Sequence, residues 1–379
     1  MNSFSFINAE VLFPDGLAKH PLNVDDTRVS QSQAKITFDL QGFMVLPGIV
    51  DLHGDGFERH LAPRRGAVKD LQNGLEATHN ELSANGITTA VLAQFYSWED
   101  GMRGPAFAKR FLRELDLFAP SVATTMLAQL RVETHMVDHY DTVVDLCHRH
   151  KIPYVVFNDH LPHKELEAGK KPPRLTGQAL KSGRSPEDHL AHLLHLHAAS
   201  AVVQRRLPDL INALGADVIL GSHDDATAQQ RQDWHALGVG ISEFPETLEA
   251  AKEAHHEGSA VIMGAPNLIR GGSHKENISA LSLIEAGLCS ALASDYHYPA
   301  LRLAALQLAP KMGLAAAWAL ISKHPAKILG LEDRGTLAIG KRADFVILEA
   351  RTGALRGTFA EGSPTFLSGD LAERLMTRA

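Results

Sequence analysis

Eight short apolar runs, separated by helix-like stretches, constrain this 379-residue chain more than any other feature. They are Val45–His53, Ile87–Gln94, Thr124–Glu133, Tyr154–His160, Asp217–His223, Gly238–Phe244, Ala260–Asn267 and Ala291–Asp295. Cores such as ITTAVLAQ, YVVF, DVILG and AVIMG have no alternating polar face, so each strand must be covered on both sides. A parallel sheet flanked by helices does this. Eight is also the number that closes a (β/α)8 TIM-like barrel. An open doubly wound sheet is the competing arrangement. Against it, no GxGxxG follows the first strand, and no GxxxxGK[ST] loop occurs.

The two ends read differently. Ile36, Phe38 and Leu40 alternate with Lys35, Thr37 and Asp39, the period of a half-buried strand. From Gly335, GTLAIGKRADFVILEA reads as a turn followed by an apolar strand. The expected division is a small β domain formed by residues 1–46 and 335–379, with the barrel over 47–334. One connection, Leu161 to Arg184, is long, rich in Pro and Gly, and basic, the character of a functional or disordered loop. Ser185-Pro186 after it reads as a helix cap with proline at the first helical position.

Composition removes several function classes. Net charge is 37 − 44 = −7, which argues against a nucleic-acid binder. The longest apolar run, Gly313 to Ile321, is too short for a membrane span. Only two cysteines occur, Cys147 and Cys289, and the start lacks a secretory pattern, so a cytoplasmic protein is expected. Cys147 reads as a small buried apolar residue. The unusual count is 21 histidines.

Polar residues gather where the strands stop. The first ends in Asp51-Leu52-His53-Gly54-Asp55, with His53 and Asp55 two apart and pointing the same way on an extended chain. The third ends at Glu133, the fourth at Asn158-Asp159-His160, the fifth at His223-Asp224-Asp225 and the eighth at Ser294-Asp295. In a parallel barrel these ends share one face, where barrel active sites lie. Any one of them alone reads as a cap or a rim residue. Together they point to a divalent metal centre of imidazole and carboxylate without thiolate. Zinc is the expected ion, and manganese or iron would also suit these donors. His189, His192, His195 and His197 lie on one helical segment without an obvious acidic partner and read as surface or packing residues. His148 and His150 fall near a helix end, where they complement the dipole.

Three positive segments suggest a polyanionic small-molecule substrate. Glu58-Arg59-His60 and Pro63-Arg64-Arg65-Gly66 follow the first ligand pair. Arg270-Gly271-Gly272-Ser273-His274-Lys275 follows the seventh strand, where barrels often bind phosphate. The third is the basic 161–184 connection.

VLPGIVDLHGD, GADVILGSHDD, the terminal Asp295 and GTLAIGKRADFVIL together resemble the amidohydrolase superfamily. PGIVDLHGDGFERHLAPRRG, VFNDH, EFPETLEAA, MGAPNLIRGGSHKENISA and SDYHYPAL resemble, more narrowly, the diphosphatases that act on α-D-ribose 1-methylphosphonate 5-triphosphate in bacterial phosphonate breakdown. The resemblance spans roughly residues 40 to 350. It implies a metal-dependent barrel hydrolase with one or two ions, releasing pyrophosphate and leaving the 5-phosphate. Carried over by position, His53 and Asp55 would bind the more buried metal, Glu133 would bridge two ions, and His160 and His223 would bind the second. Asp295 would bind metal and handle the proton. Arg59, Arg64, Arg270, Ser273, His274 and Lys275 would meet the phosphates. Two departures stand out: His-x-Asp replaces the usual His-x-His, and Lys275-Glu276 stands where Ser-Gly is expected. Another amidohydrolase, acting on an N-acyl or cyclic amide, is the alternative. Homodimerisation is left open.

Overall fold

The computed structural model describes residues 3–62, 70–271 and 277–377. Eight parallel strands form its central sheet. They are β1 (Ile49–Gly54), β2 (Ile87–Tyr96), β3 (Thr125–Glu133), β4 (Tyr154–Asn158), β5 (Ile219–His223), β6 (Ile241–Glu243), β7 (Ala260–Gly264) and β8 (Ala291–Ala293). Their hydrogen-bonded order follows the chain from first to eighth. Just past β8, Gly54 of β1 bridges Asp295 in the parallel sense. Parallel strands in chain order, with the first beside the last, make the (β/α)8 barrel expected from the eight runs. All ten residues of β2 are buried, as its unbroken apolar run requires.

The chain divides into two compact units. One comprises residues 1–92, 117–127 and 262–379, and the other comprises 93–116 and 128–261.

In the first unit, both chain ends build flanking sheets. A six-stranded sheet runs in the order Ser363–Leu367, Leu355–Ala360, Phe345–Glu349, Phe43–Pro47, Glu10–Phe13, Gly16–Ala18. A four-stranded sheet joins Arg28–Ser30, Leu22–Asp25, Ser3–Ile7 and Thr37–Asp39. Phenylalanines fill the space among them. The Phe345 and Phe359 rings stack at 4.6 Å, and Phe6 meets Phe345 edge-on at 5.6 Å. Arg334 and Arg342 both donate to Thr125 Oγ1 at 2.8 Å, tying the C-terminal tail to the start of β3.

The expected strand Val45–His53 is two strands. Pro47 lacks an N–H, and at Gly48 the chain changes partners. The Gly48 N–H donates to Asp344 O of the flanking segment, whereas Ile49 N–H donates to Gly86 O beside β2. The expected Ala260–Asn267 strand stops at Gly264, because Pro266 sits in the first turn of a helix, Ala265–Ile269. The 161–184 connection is also more ordered than its composition suggests. Helices span His163–Glu167 and Leu175–Ser182, with Pro172-Pro173 between them and Gly183 (φ 72°) ending the second. The next helix begins as its sequence predicts: Ser185 Oγ accepts the Asp188 N–H at 3.0 Å and Pro186 is the first helical residue.

In the second unit, a buried ion pair locks β5 to β6. Arg231, on helix Ala228–Ala236, has no exposed surface. Its guanidinium donates to Ser222 Oγ at 2.6 Å and to Val239 O at 2.5 Å, and lies 3.4 Å from Asp225 Oδ2. Ser222 and Ser242 hydroxyls also donate to Asp225, at 2.7 and 2.6 Å. Removing the cation would leave a buried carboxylate uncompensated, which costs about 3–5 kcal/mol. Arg231→Ala should therefore lower the free energy of unfolding by that amount, read as a lower urea midpoint at unchanged slope. An unchanged midpoint would show that the network carries no stability.

Candidate metal centre

In the first unit, the backbone that carries the expected ligands His53, Asp55 and Asp295 is set by the meeting of β1 with the segment after β8. Asp295 N–H donates to His53 O and Asp55 N–H donates to Asp295 O, both at 2.9 Å. His53, Asp55 and Asp295 are thereby held in adjacent register. His53 is fully buried. Beneath the seam lies Asp51, also fully buried, which accepts Ser294 N–H at 2.9 Å and the Ser294 hydroxyl at 2.5 Å. Burial pushes its carboxyl pKa up, and the Ser294 donors only partly offset this. Gly54 is required for space: a Cβ there would stand 2.8 Å from both Asp51 Oδ2 and Tyr298 Cε1.

Two expected phosphate-binding arginines gather next to Asp295, around Tyr296. Arg59, on the short helix Glu58–Leu61, donates to Tyr296 O at 3.0 Å and pairs with Glu81. Arg270 lies over the Tyr296 ring at 4.9 Å. Arg64, Ser273, His274 and Lys275 lie outside the described residues.

In the second unit, Glu133 ends β3, fully buried. His160 follows β4 by two residues, and its Nδ1 lies 2.5 Å from Glu133 Oε1, while its backbone N–H donates to Oε2 at 3.1 Å. A carboxylate and an imidazole this close need positive charge between them. Burial disfavours the His160 imidazolium, but the Glu133 carboxylate outweighs it and the net shift is upward. His223 ends β5, with its ring 6.1 Å from that of His160. Burial lowers the His223 pKa despite Asp224 alongside. Asp224 itself sits below the ordinary carboxylate range: burial raises it, but His223, His160 and Arg131 together pull it lower.

Sequence reasoning missed Arg131 and Glu243. Gln129, Arg131 and Glu133 alternate along β3 and so share a face, and an arginine inside an apolar strand was the available signal. Arg131 donates to Asn158 Oδ1 at 3.3 Å and to His223 Nε2 at 3.0 Å, and covers the Phe95 ring at 3.9 Å. Glu243 is buried at the end of β6 and accepts from Gln129 Nε2 at 2.8 Å and Tyr154 Oη at 2.7 Å. Left-handed backbone recurs at these strand ends. Asp224 (φ 59°), Phe244 (φ 54°) and Asp295 (φ 56°) each carry strain of about 1–3 kcal/mol, of the kind that collects at working sites.

Comparison with known proteins gives a family. The amidohydrolase family model matches residues 217–359. The α-D-ribose 1-methylphosphonate 5-triphosphate diphosphatase of Escherichia coli (strain K12) is 30% identical over 329 residues, 84% of this chain and 86% of that protein. The chain belongs to the amidohydrolase superfamily. Among solved structures, a β-aspartyl dipeptidase from Fervidobacterium islandicum AW-1 aligns with TM-score 0.63 at 14% identity, over 98% of this amidohydrolase and 97% of that chain. A putative prolidase from Bifidobacterium longum aligns with TM-score 0.61 at 15% identity, over 100% and 99%.

The donors of this amidohydrolase fit a divalent ion. Donor atoms of His160, His223 and Asp224 lie within 4.8 Å of one another. Arg131 donates to His223 Nε2, a bond that only the neutral imidazole accepts, and Nδ1 is the nitrogen turned toward Asp224, 3.1 Å away. Burial pushes the Cys147 and Cys289 thiols up to about 12, so neither offers a thiolate at neutral pH. The enzyme is a metal-dependent hydrolase. Among the described residues, no helix is long and apolar enough to cross a membrane.

Gly54→Ala would wedge a methyl between Asp51, Ser294 and Tyr298. Overpacking of this kind costs about 1–3 kcal/mol. The variant should unfold earlier and retain less divalent metal after purification, by melting and elemental analysis. Wild-type metal content would show that the seam does not position ligands.

Proposed function

We propose that His53, Asp55, Glu133, His160, His223 and Asp295 act as one metal centre that hydrolyses α-D-ribose 1-methylphosphonate 5-triphosphate to the 5-phosphate and pyrophosphate. The observation that carries this reading is the 30% identity, along 84% of the chain, to a diphosphatase of that name. Arg270, over the Tyr296 ring beside Asp295, supports it, because guanidinium suits phosphate oxygens. A divalent ion at such a centre, zinc being the first expectation, lowers the pKa of water toward about 7 and supplies Lewis acidity.

The chain's own residues do the rest. The seam between β1 and the post-β8 segment presents Asp295 in one backbone register with His53 and Asp55. From there its carboxylate can take a proton from the attacking water and steer it toward the leaving oxygen. Attack falls on the phosphorus nearest the ribose. Arg270 stabilises the charge that develops on the pyrophosphate as it departs. Arg59 is held by Glu81, and through the Tyr296 carbonyl it steadies the loop that follows Asp295.

Amide hydrolysis is the second reading. The β-aspartyl dipeptidase and the putative prolidase favour it, since they share this fold. At 14% and 15% identity, what they share with the chain is the fold alone.

Purified enzyme given the ribose triphosphate, β-aspartyl dipeptides and N-acyl amino acids in parallel should release pyrophosphate fastest. Faster amine release would replace the first reading with the second. Asp295→Asn should keep the fold and lose about 10²- to 10⁴-fold in kcat; near-normal turnover would remove Asp295 from proton transfer. Arg270→Ala should raise KM for the triphosphate roughly 10- to 100-fold, from about 1.5–3 kcal/mol per charged hydrogen bond. Unchanged kinetics would eliminate its contact with phosphate.

A further inference from the structure

Beyond the ends of β3 and β4, the second unit holds another group of imidazoles and a carboxylate that the proposed hydrolytic centre does not use. His135 lies two residues past Glu133, Asp159 directly precedes His160, and His163 opens the helix that follows. His163 Nε2 lies 3.1 and 2.9 Å from the two Asp159 oxygens, and His135 Nδ1 lies 3.6 Å from Oδ1. One donor atom from each residue lies within 4.8 Å of the others. Nitrogen and oxygen ligands at about 2.0–2.2 Å around a tetrahedral zinc stand roughly 3.3 Å apart. The observed separations bracket that value.

The far side of each imidazole is also built. Metal-ligating histidines nearly always donate their other ring N–H to an acceptor, which fixes the tautomer. His135 Nε2 meets Ser200 Oγ at 3.2 Å, and Ser200 spends its own proton on His197 O at 2.6 Å. The hydroxyl is therefore an acceptor for His135, whose Nδ1 then turns a lone pair toward the Asp159 carboxylate. Thr134 Oγ1 lies 3.3 Å from the same nitrogen. His163 Nδ1 meets His197 Nδ1 at 2.7 Å, an acceptor for its N–H when Nε2 is free to coordinate. In these tautomers two ring nitrogens turn lone pairs toward one carboxylate, the donor arrangement a divalent cation takes.

We propose that His135 Nδ1, Asp159 and His163 Nε2 bind a second divalent cation of the zinc class, separate from the hydrolytic centre. Ser200 and His197 orient its imidazoles. The site opens on a cavity of about 580 Å³ that His223 and Asp224 line as well, so water or a small molecule completes the coordination. The cation ties the segment after Glu133 to the segment carrying His160 and to the first turn of helix His163–Glu167. It is thus a positioning element for two proposed ligands of the hydrolytic centre.

The test is the zinc stoichiometry of the full-length, metal-stripped chain, titrated with Zn²⁺ against a chromophoric chelator. His163→Ala and His135→Ala should each bind one Zn²⁺ per chain fewer than wild type, whereas His192→Ala should match wild type. His197→Ala should keep the count but hold one equivalent about 10- to 100-fold more weakly. Equal stoichiometry in wild type, His163→Ala and His135→Ala would overturn the site, leaving a protonated His163–Asp159 pair in its place. Should the alanine variants fail to fold, an unchanged affinity in His197→Ala would overturn it equally. Glu133→Gln separates the two centres: an equivalent that survives this change but not His163→Ala belongs here, whatever the hydrolytic reading's fate.

Discussion

The structure turns on a backbone contact. Two hydrogen bonds at 2.9 Å, from Asp295 to His53 and from Asp55 to Asp295, bring the segment after β8 against β1. They complete the strand order, and they set three acidic or imidazole side chains in one register. Because the contact is peptide to peptide, it holds whatever the protonation of those side chains. It also needs space that only glycine allows at position 54, and a buried carboxylate, Asp51, braced by Ser294 beneath it. Closing the strands and bringing His53, Asp55 and Asp295 together are one event in this fold.

The second unit solves a different problem, that of holding charge away from water. Arg131 donates to Asn158 and His223 and covers the face of Phe95, and Arg231 donates to Ser222 and the Val239 carbonyl beside Asp225. Arg231 and Asp225 fix the neighbouring strands β5 and β6. Arg131 instead donates to the His223 ring nitrogen, a bond that only the neutral imidazole accepts. The difference follows from what each guanidinium faces: a matched carboxylate in one case, a ring lone pair in the other.

Much of the fold was legible because buried parallel strands advertise themselves as unbroken apolar runs. ITTAVLAQ and YVVF lie within the observed β2 and β4. Reading failed where chain continuity and sheet membership part company. Val45 to His53 looks like one strand, and only the competing hydrogen bonds at Gly48 and Ile49 show that two sheets share it. The 161–184 connection looked like open loop because it is rich in prolines and glycines, yet it folds into two short helices. His189, expected to be a surface or packing residue, does pack: it is buried against Trp98.

By itself the sequence determined the strand count, the absence of nucleotide-binding loops, and the supply of imidazole and carboxylate at strand ends. These follow from local periodicity and residue chemistry, which need no distant partner. Tertiary structure alone decided which of the 21 histidines keep company with carboxylates. His135, His163 and Asp159 are separated by up to 28 positions, and nothing in their spacing marks them as a group. Proximity of that kind comes from how strands and helices pack, and packing is a property of the whole chain rather than of any segment.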